Sequence, residues 1–204
     1  MKQLLCGLLA LGVLAGAVGQ GHADYAFITI DFPGAFQTYA EGINASGQIV
    51  GSYLGPDSTR HGFVFSGGKY TSFDVPGAFL TDAYAINSSG QIVGSYVASP
   101  VASYGFLLSG GAYTTLNVPG AMQTQARGIN DFGQISGMYA TNFSSSFPRH
   151  GFLFSSGQYS SLDVPGSIET IAEKLNNPGQ IVGAYTVCVA KIIDANRADP
   201  DQLL

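Results

Sequence analysis

One stretch of text recurs four times in this chain. It reads Ile43-Asn44-Ala45-Ser46-Gly47-Gln48-Ile49-Val50-Gly51 first, then starts again at Ile86-Asn87, Ile129-Asn130 and Leu175-Asn176. The four asparagines stand 43, 43 and 46 residues apart. A period of that length marks stacked supersecondary units that bury their apolar faces only against one another. Repetition therefore constrains the fold more than any single residue does.

Within a unit, short apolar runs alternate with turn signals. In the second unit Thr81–Ile86, Gln91–Val97, Gly105–Leu108 and Tyr113–Val118 each read as a strand. Four strands in about 43 residues is the spacing of an all-β protein. Asn87-Ser88-Ser89-Gly90 predicts a type I turn closing on a left-handed glycine, with the Asn side chain bonding backbone two residues on. Gly67-Gly68, Gly110-Gly111 and Ser156-Gly157 are expected to close the second hairpin in the same way. Pro33-Gly34, Pro76-Gly77, Pro119-Gly120 and Pro165-Gly166 predict type II turns between units.

A lone four-stranded sheet leaves one apolar face in water, so such units need neighbours. Stacked around an axis they make a β-propeller of about four four-stranded blades. Recurring Phe63, Phe106 and Phe152, with Tyr70, Tyr113 and Tyr159, are expected to fill the space between blades. The segment Phe27–Ala35 matches the outermost strand of a unit, and the last unit lacks a fourth strand. The N-terminal strand is thus the candidate that closes the ring, by pairing with the last unit. The alternative is an open fragment of a larger propeller, because Val187–Ile193, a candidate third strand, lacks the Gly-Phe element of the earlier units. The organisation expected is a signal peptide at 1–23, a repeat domain at 24–193 with units at about 37–79, 80–122, 123–168 and 169–193, and a tail at 194–204.

The signal peptide is read from Met1-Lys2, an apolar run from Leu4 to Val18, and small residues before Asp24. That run is short for a membrane span, and no second one follows, so the mature chain is expected to be secreted, periplasmic or on the cell surface. After cleavage Cys188 is the sole cysteine, and stability must come without an internal disulfide. A net charge of −5 with 10% charged residues argues against nucleic acid and anionic membranes as partners. At 46% hydrophobic the chain is too apolar for disorder.

The combination Ile-Asn-x-x-Gly-Gln-Ile-Val-Gly-x-Tyr, then His61-Gly62-Phe63, then Asp74-Val75-Pro76-Gly77-Ala78, resembles the HAF family of extracellular repeats over residues 27–185. His150-Gly151-Phe152 repeats the naming tripeptide, and Tyr104-Gly105-Phe106 stands in its place in the second unit. The resemblance implies export and multiple repeats, and no assigned activity.

No nucleophile elbow, phosphate loop or zinc-protease helix is present, so no enzyme is expected. His61 and His150 occupy equivalent places and read as strand-edge rings rather than metal ligands; each is expected to tolerate Tyr. Asp31, Asp74, Asn117 and Asp163 precede the Pro-Gly turns and are expected to bond turn backbone N–H groups. A ring of these carboxylates around calcium is the minor alternative; otherwise no metal or cofactor is expected. Asn44, Asn87, Asn130 and Asn176 are structural repeat positions. So are Gln48, Gln91, Gln134 and Gln180, each amide expected to tie neighbouring backbone together.

Binding residues gather on loops that break a repeat. Leu54–Arg60 and Thr141–Arg149 do so, making Arg60, Phe143, Phe147 and Arg149 the candidate contact residues for an extracellular protein or glycan. The function expected is an exported, non-catalytic binding module. One alternative is a structural or display module. The other is a polysaccharide-acting enzyme with a site on the propeller axis, for which Glu41, Asp82, Glu169 and Glu173 are the acids near the first strands.

Overall fold

A computed structural model describes residues 26–100, 102–142 and 148–187. All of their regular structure is β, in fourteen strands: β1 (Gln37–Ile43), β2 (Ile49–Leu54), β3 (Arg60–Ser66), β4 (Lys69–Phe73), β5 (Leu80–Ile86), β6 (Ile92–Ser99), β7 (Ala102–Ser109), β8 (Ala112–Leu116), β9 (Gln123–Ile129), β10 (Ile135–Ala140), β11 (His150–Ser155), β12 (Gln158–Ser161), β13 (Glu169–Leu175) and β14 (Ile181–Thr186). The strands predicted in the second unit fall on β5 to β8. No helix of the described residues is long and apolar enough to cross a membrane.

Each repeat forms an antiparallel meander: β1 to β4 in unit 1, β5 to β8 in unit 2, β9 to β12 in unit 3, and the pair β13–β14 in unit 4. Units 2 and 3 count as one sheet only through a single parallel pairing, Ser103 with Gln123. Strand pairing otherwise stays inside a unit, and the joints are made by side chains with a few backbone bonds, such as Thr170 N–H to the Arg149 carbonyl at 2.8 Å.

The turns follow from their residues. Gly90 N–H donates to the Asn87 carbonyl at 3.0 Å with Gly90 at φ +80°, and the same closure recurs at Gly47, Gly133 and Gly179. Between units, Ala78 N–H donates to the Val75 carbonyl across Pro76-Gly77, and Gly77 has φ +78°. The second hairpins depart from expectation. Gly67 and Gly68 both have positive φ, as do Gly110 and Gly111, and Ser156 and Gly157. Two consecutive left-handed residues make the type I′ loop, whose twist matches that of the flanking strands.

Two apolar clusters hold the joints. Val50, Val75, Ala83, Ile86, Ile92 and Phe106 pack between units 1 and 2. Ala85, Val93, Leu116, Val118, Ala126, Ile129, Ile135 and Phe152 do so between units 2 and 3. Phe63, Phe106 and Phe152 are all 0% exposed. Burying each ring is worth about 1.5–3 kcal/mol, which accounts for its recurrence.

A polar ladder runs beside these clusters. Asn44 Nδ2 donates to the Asn87 carbonyl at 3.1 Å, Asn87 to the Asn130 carbonyl at 3.2 Å, and Asn130 to the Asn176 carbonyl at 3.1 Å. Gln48, Gln91, Gln134 and Gln180 were expected to bridge neighbouring backbone, and the asparagines do so instead. Each glutamine Oε1 accepts from the Asn Nδ2 of its own unit at 2.7 to 2.8 Å, holding the amide that reaches across. The asparagine amide thus bonds both its own unit's glutamine and the next unit's backbone.

Among the described residues the N-terminal segment closes no ring. Residues 26–31 form no strand and pair with neither β13 nor β14. Phe32 stacks on Tyr53 with ring centroids 3.7 Å apart and planes 4° from parallel, and Asp31 N–H donates to the Tyr70 hydroxyl at 2.9 Å. Those contacts hold the segment against unit 1. No sheet is closed on itself. The expected signal peptide at 1–23, Cys188 and nearly all of the candidate third strand at Val187–Ile193 lie outside the described residues.

Candidate functional site

Every first strand contains the same irregularity. Ala83 pairs with Gly94 and Ala85 with Val93, leaving Tyr84 as one extra residue in β5. Glu41, Arg127 and Glu173 are the extra residues in β1, β9 and β13. A β-bulge of this kind bends its strand and redirects a side chain. The second-strand glycine permits it: a Cβ on Gly94 would strike the Asp82 carbonyl oxygen, and Gly51, Gly137 and Gly183 meet Tyr39, Gln125 and Ile171 in the same way.

Chemistry at the bulged position changes from unit to unit while its frame persists. The frame is Ala40-x-Gly42-Ile43, Ala83-x-Ala85-Ile86, Ala126-x-Gly128-Ile129 and Ala172-x-Lys174-Leu175. All four first strands line one cavity of about 250 Å³, with Glu41, Gly42, Ala85, Gly128 and Lys174 among its walls. Of the four bulged residues Glu41 lines this cavity directly, and the other three units contribute the residue next to their bulge, Ala85, Gly128 and Lys174.

These groups are coupled. Arg127 Nη1 donates to both oxygens of Glu173, at 2.8 and 2.9 Å, and its Nη2 donates to Gln125 Oε1 at 2.9 Å. Its guanidinium lies 5.5 Å from the centroid of the Tyr84 ring. Burial, with the nearby Asp82 charge, pushes the Tyr84 hydroxyl up; that hydroxyl bonds Ser95 Oγ at 3.0 Å. Lys174 stands where the other units have glycine or alanine, and its Nζ reaches across to the carbonyls of Tyr84 at 2.6 Å and Arg127 at 2.9 Å. Burial lowers its pKa, against the opposing charges of Glu41 and Glu173. Among the described residues Glu41 makes no direct ion pair, and it lines the cavity with Lys174 as its nearby opposite charge. The cavity wall therefore carries a carboxylate, Glu41, and an ammonium, Lys174.

Sequence reasoning placed contacts elsewhere. Phe143 and Phe147 lie outside the described residues. Arg60 bonds Asp82 of unit 2 at 3.2 Å and lies 5.0 Å from the Tyr39 ring centroid, while Arg149 meets Glu169 of unit 4 at 3.3 Å. Both arginines are thus engaged in joints between units, since Arg60 begins a third strand and Arg149 immediately precedes one, each beside the next unit's first strand. Of the acids considered for an axial enzyme, Asp82, Glu169 and Glu173 are each paired with an arginine. Asp82 Oδ1 is buried with no partner.

The residues before the Pro-Gly turns also act differently from expectation. Asp74 accepts from His61 Nδ1 at 2.9 Å and Asp163 pairs with His150 Nδ1 at 3.0 Å; Asp31 and Asn117 accept from Thr38 and Thr124. The turn N–H they were expected to bind is taken by a threonine hydroxyl, as from Val75 to Thr81 at 3.2 Å. His61 also bonds Asp57 through Nε2 at 3.1 Å, so its two carboxylates sit on opposite ring edges and do not converge on one ion.

Reading the sequence missed the bulged ring. Its signal was present, as the one variable letter inside an otherwise constant Ala-x-small-Ile/Leu frame. No family model matches the chain, and no curated protein matches it.

Proposed function

We propose that this chain is an exported, non-catalytic β-propeller module of the HAF type that binds an extracellular glycan or protein through the bulged residues of its first strands. The observation that carries this reading is that equivalent bulges hold a carboxylate at Glu41 and Glu173, a phenol at Tyr84 and a guanidinium at Arg127, in first strands that together line one cavity with Glu41 and Lys174 in its wall. Repeat positions that serve only stacking stay constant, as the Asn and Gln pairs do; positions that differ in a constant frame have another task. Export and the propeller architecture rest on the N-terminal sequence, the period and the resemblance.

The test uses the mature chain from Asp24 onward against immobilised neutral, uronic-acid and amino-sugar polysaccharides. We expect retention on at least one class, no release of reducing ends, and at least tenfold weaker retention for the Glu41→Gln, Arg127→Ala double variant. Chain cleavage would favour the axial enzyme. Failure to retain any polymer would favour a display module, the reading supported by the Asn ladder.

A further inference from the structure

Each first strand is preceded by one large apolar residue that the fold leaves in water. Phe36, Phe79, Met122 and Ile168 follow the Pro-Gly corner at the same place in the four units, and they are 66%, 63%, 50% and 53% exposed. The backbone beside them is pinned. Ala78 N–H closes the corner onto the Val75 carbonyl, Phe79 N–H donates to the Val97 carbonyl at 2.7 Å, and Phe36 N–H donates to the Leu54 carbonyl at 2.8 Å.

A single exposed apolar side chain needs no explanation, but the same exposure at equivalent places does. The end of an array does not account for it, because Phe79 belongs to unit 2, which packs against a neighbour on each side. Packing does not account for the apolar character either. Full burial of such a side chain would be worth about 1.5–3 kcal/mol, and here most of that gain is forgone.

The meanders place these residues, the Pro-Gly corners and the loops between second and third strands at one end of the units, opposite the Asn turns. That end is acidic. Asp31 and Asp74 stand five residues before Phe36 and Phe79, and Asp57 lies in the loop that follows Leu54. The carboxylates of Asp57 and Asp74 are about half exposed, and His61 between them, even when charged, leaves the group net negative. Among the described lysines and arginines only Arg60 and Arg149 lie at this end, each spent on an acid of the next unit.

We propose that Phe36 and Phe79, flanked by Asp31, Asp57 and Asp74, form a docking surface for a cationic polypeptide that presents aliphatic side chains between Lys or Arg residues. Charge complementarity selects this occupant. A wholly apolar partner would strip water from the carboxylates without compensation, and an anionic membrane would be repelled by them. A sugar stacks on ring faces, which Met122 and Ile168 do not offer at the equivalent places. The surface is separate from the cavity between the first strands and goes beyond the function proposed for it.

The test titrates the mature full chain into fluorescein-labelled octapeptides, read by fluorescence anisotropy. For alternating Leu and Lys we expect saturable binding that weakens with added salt. It should be at least tenfold weaker for a Ser-Lys peptide, for a Leu-Glu peptide, and for the Phe36→Ser, Phe79→Ser double variant, whose fold a thermal melt checks. Phe132→Ser, an exposed ring at the opposite end, should bind as the unaltered chain does. Absence of saturable binding, equal binding of either control peptide, or an equal loss in Phe132→Ser would overturn the inference. Binding to phosphatidylserine vesicles, or a dimer seen by sedimentation, that the double variant abolishes would also overturn it, since each identifies a different occupant.

Discussion

Ser136 is 0% exposed with its hydroxyl unpaired, at a position that reads Val50, Val93 and Val182 in the other units. A buried hydroxyl without a partner costs about 1–3 kcal/mol. We expect Ser136→Val to stabilise the protein by about 1 kcal/mol, a rise of roughly 2–4 °C in the calorimetric midpoint for a chain of this size. A fall would mean that the added methyls do not fit beside Gly128. His61 carries a pH dependence. Burial of its ring opposes the charge, yet the hydrogen bond and charge of Asp74, joined by Asp57, outweigh burial and raise its pKa above 6.5. A base whose pKa is raised by folding contributes in full below its unfolded value and loses that contribution as pH climbs through the folded one. The urea midpoint should therefore fall as pH rises from the ordinary histidine value through the raised folded one, and Asp74→Asn should flatten the slope. Single residues were partly legible. The asparagine turns were readable from local chemistry, but which of two recurring amides crosses the joint depends on side-chain length against a gap that only the packed units define.

The hairpin loop at Ser156-Gly157 places a non-glycine residue at φ +52°. Asn-Gly is the pair best suited to a type I′ loop, so Ser156→Asn should stabilise by about 0.5 kcal/mol in urea denaturation. The joints are costlier to disturb. Asn87→Ala removes the bonds to the Asn130 carbonyl and Gln91 Oε1 at a residue 4% exposed, which should cost about 2–4 kcal/mol. Among the described residues the side chain of the exposed Asn176 bonds only within unit 4, so Asn176→Ala should cost about 1 kcal/mol or less by the same measurement. Strand positions were legible because apolar alternation and Gly or Asn turns are local. Bulges were not, since an extra residue exists only relative to a partner strand; Ala83-Tyr84-Ala85 reads as ordinary alternation until Gly94 and Val93 are placed opposite.

At the level of the whole molecule, Lys174 is the side chain that ties three units together. Its two bonds to the carbonyls of units 2 and 3 are charge-assisted, and desolvation of the ammonium offsets part of their gain. Lys174→Met should lower stability by about 2 kcal/mol in equilibrium unfolding, and a neutral result would mean that desolvation cancels both bonds. The period announced how many units to expect, but not whether the array meets itself: Phe32 has a stacking partner in Tyr53 that no reading of either segment alone pairs with it. The asparagine ladder has a genetic consequence. Each unit carries a donor for the unit that follows and a carbonyl for the one before, so an in-frame duplication of some 43 codons would bring both halves of a new seam with it. Such a chain can lengthen by copying error, without compensating substitutions in the units it already has.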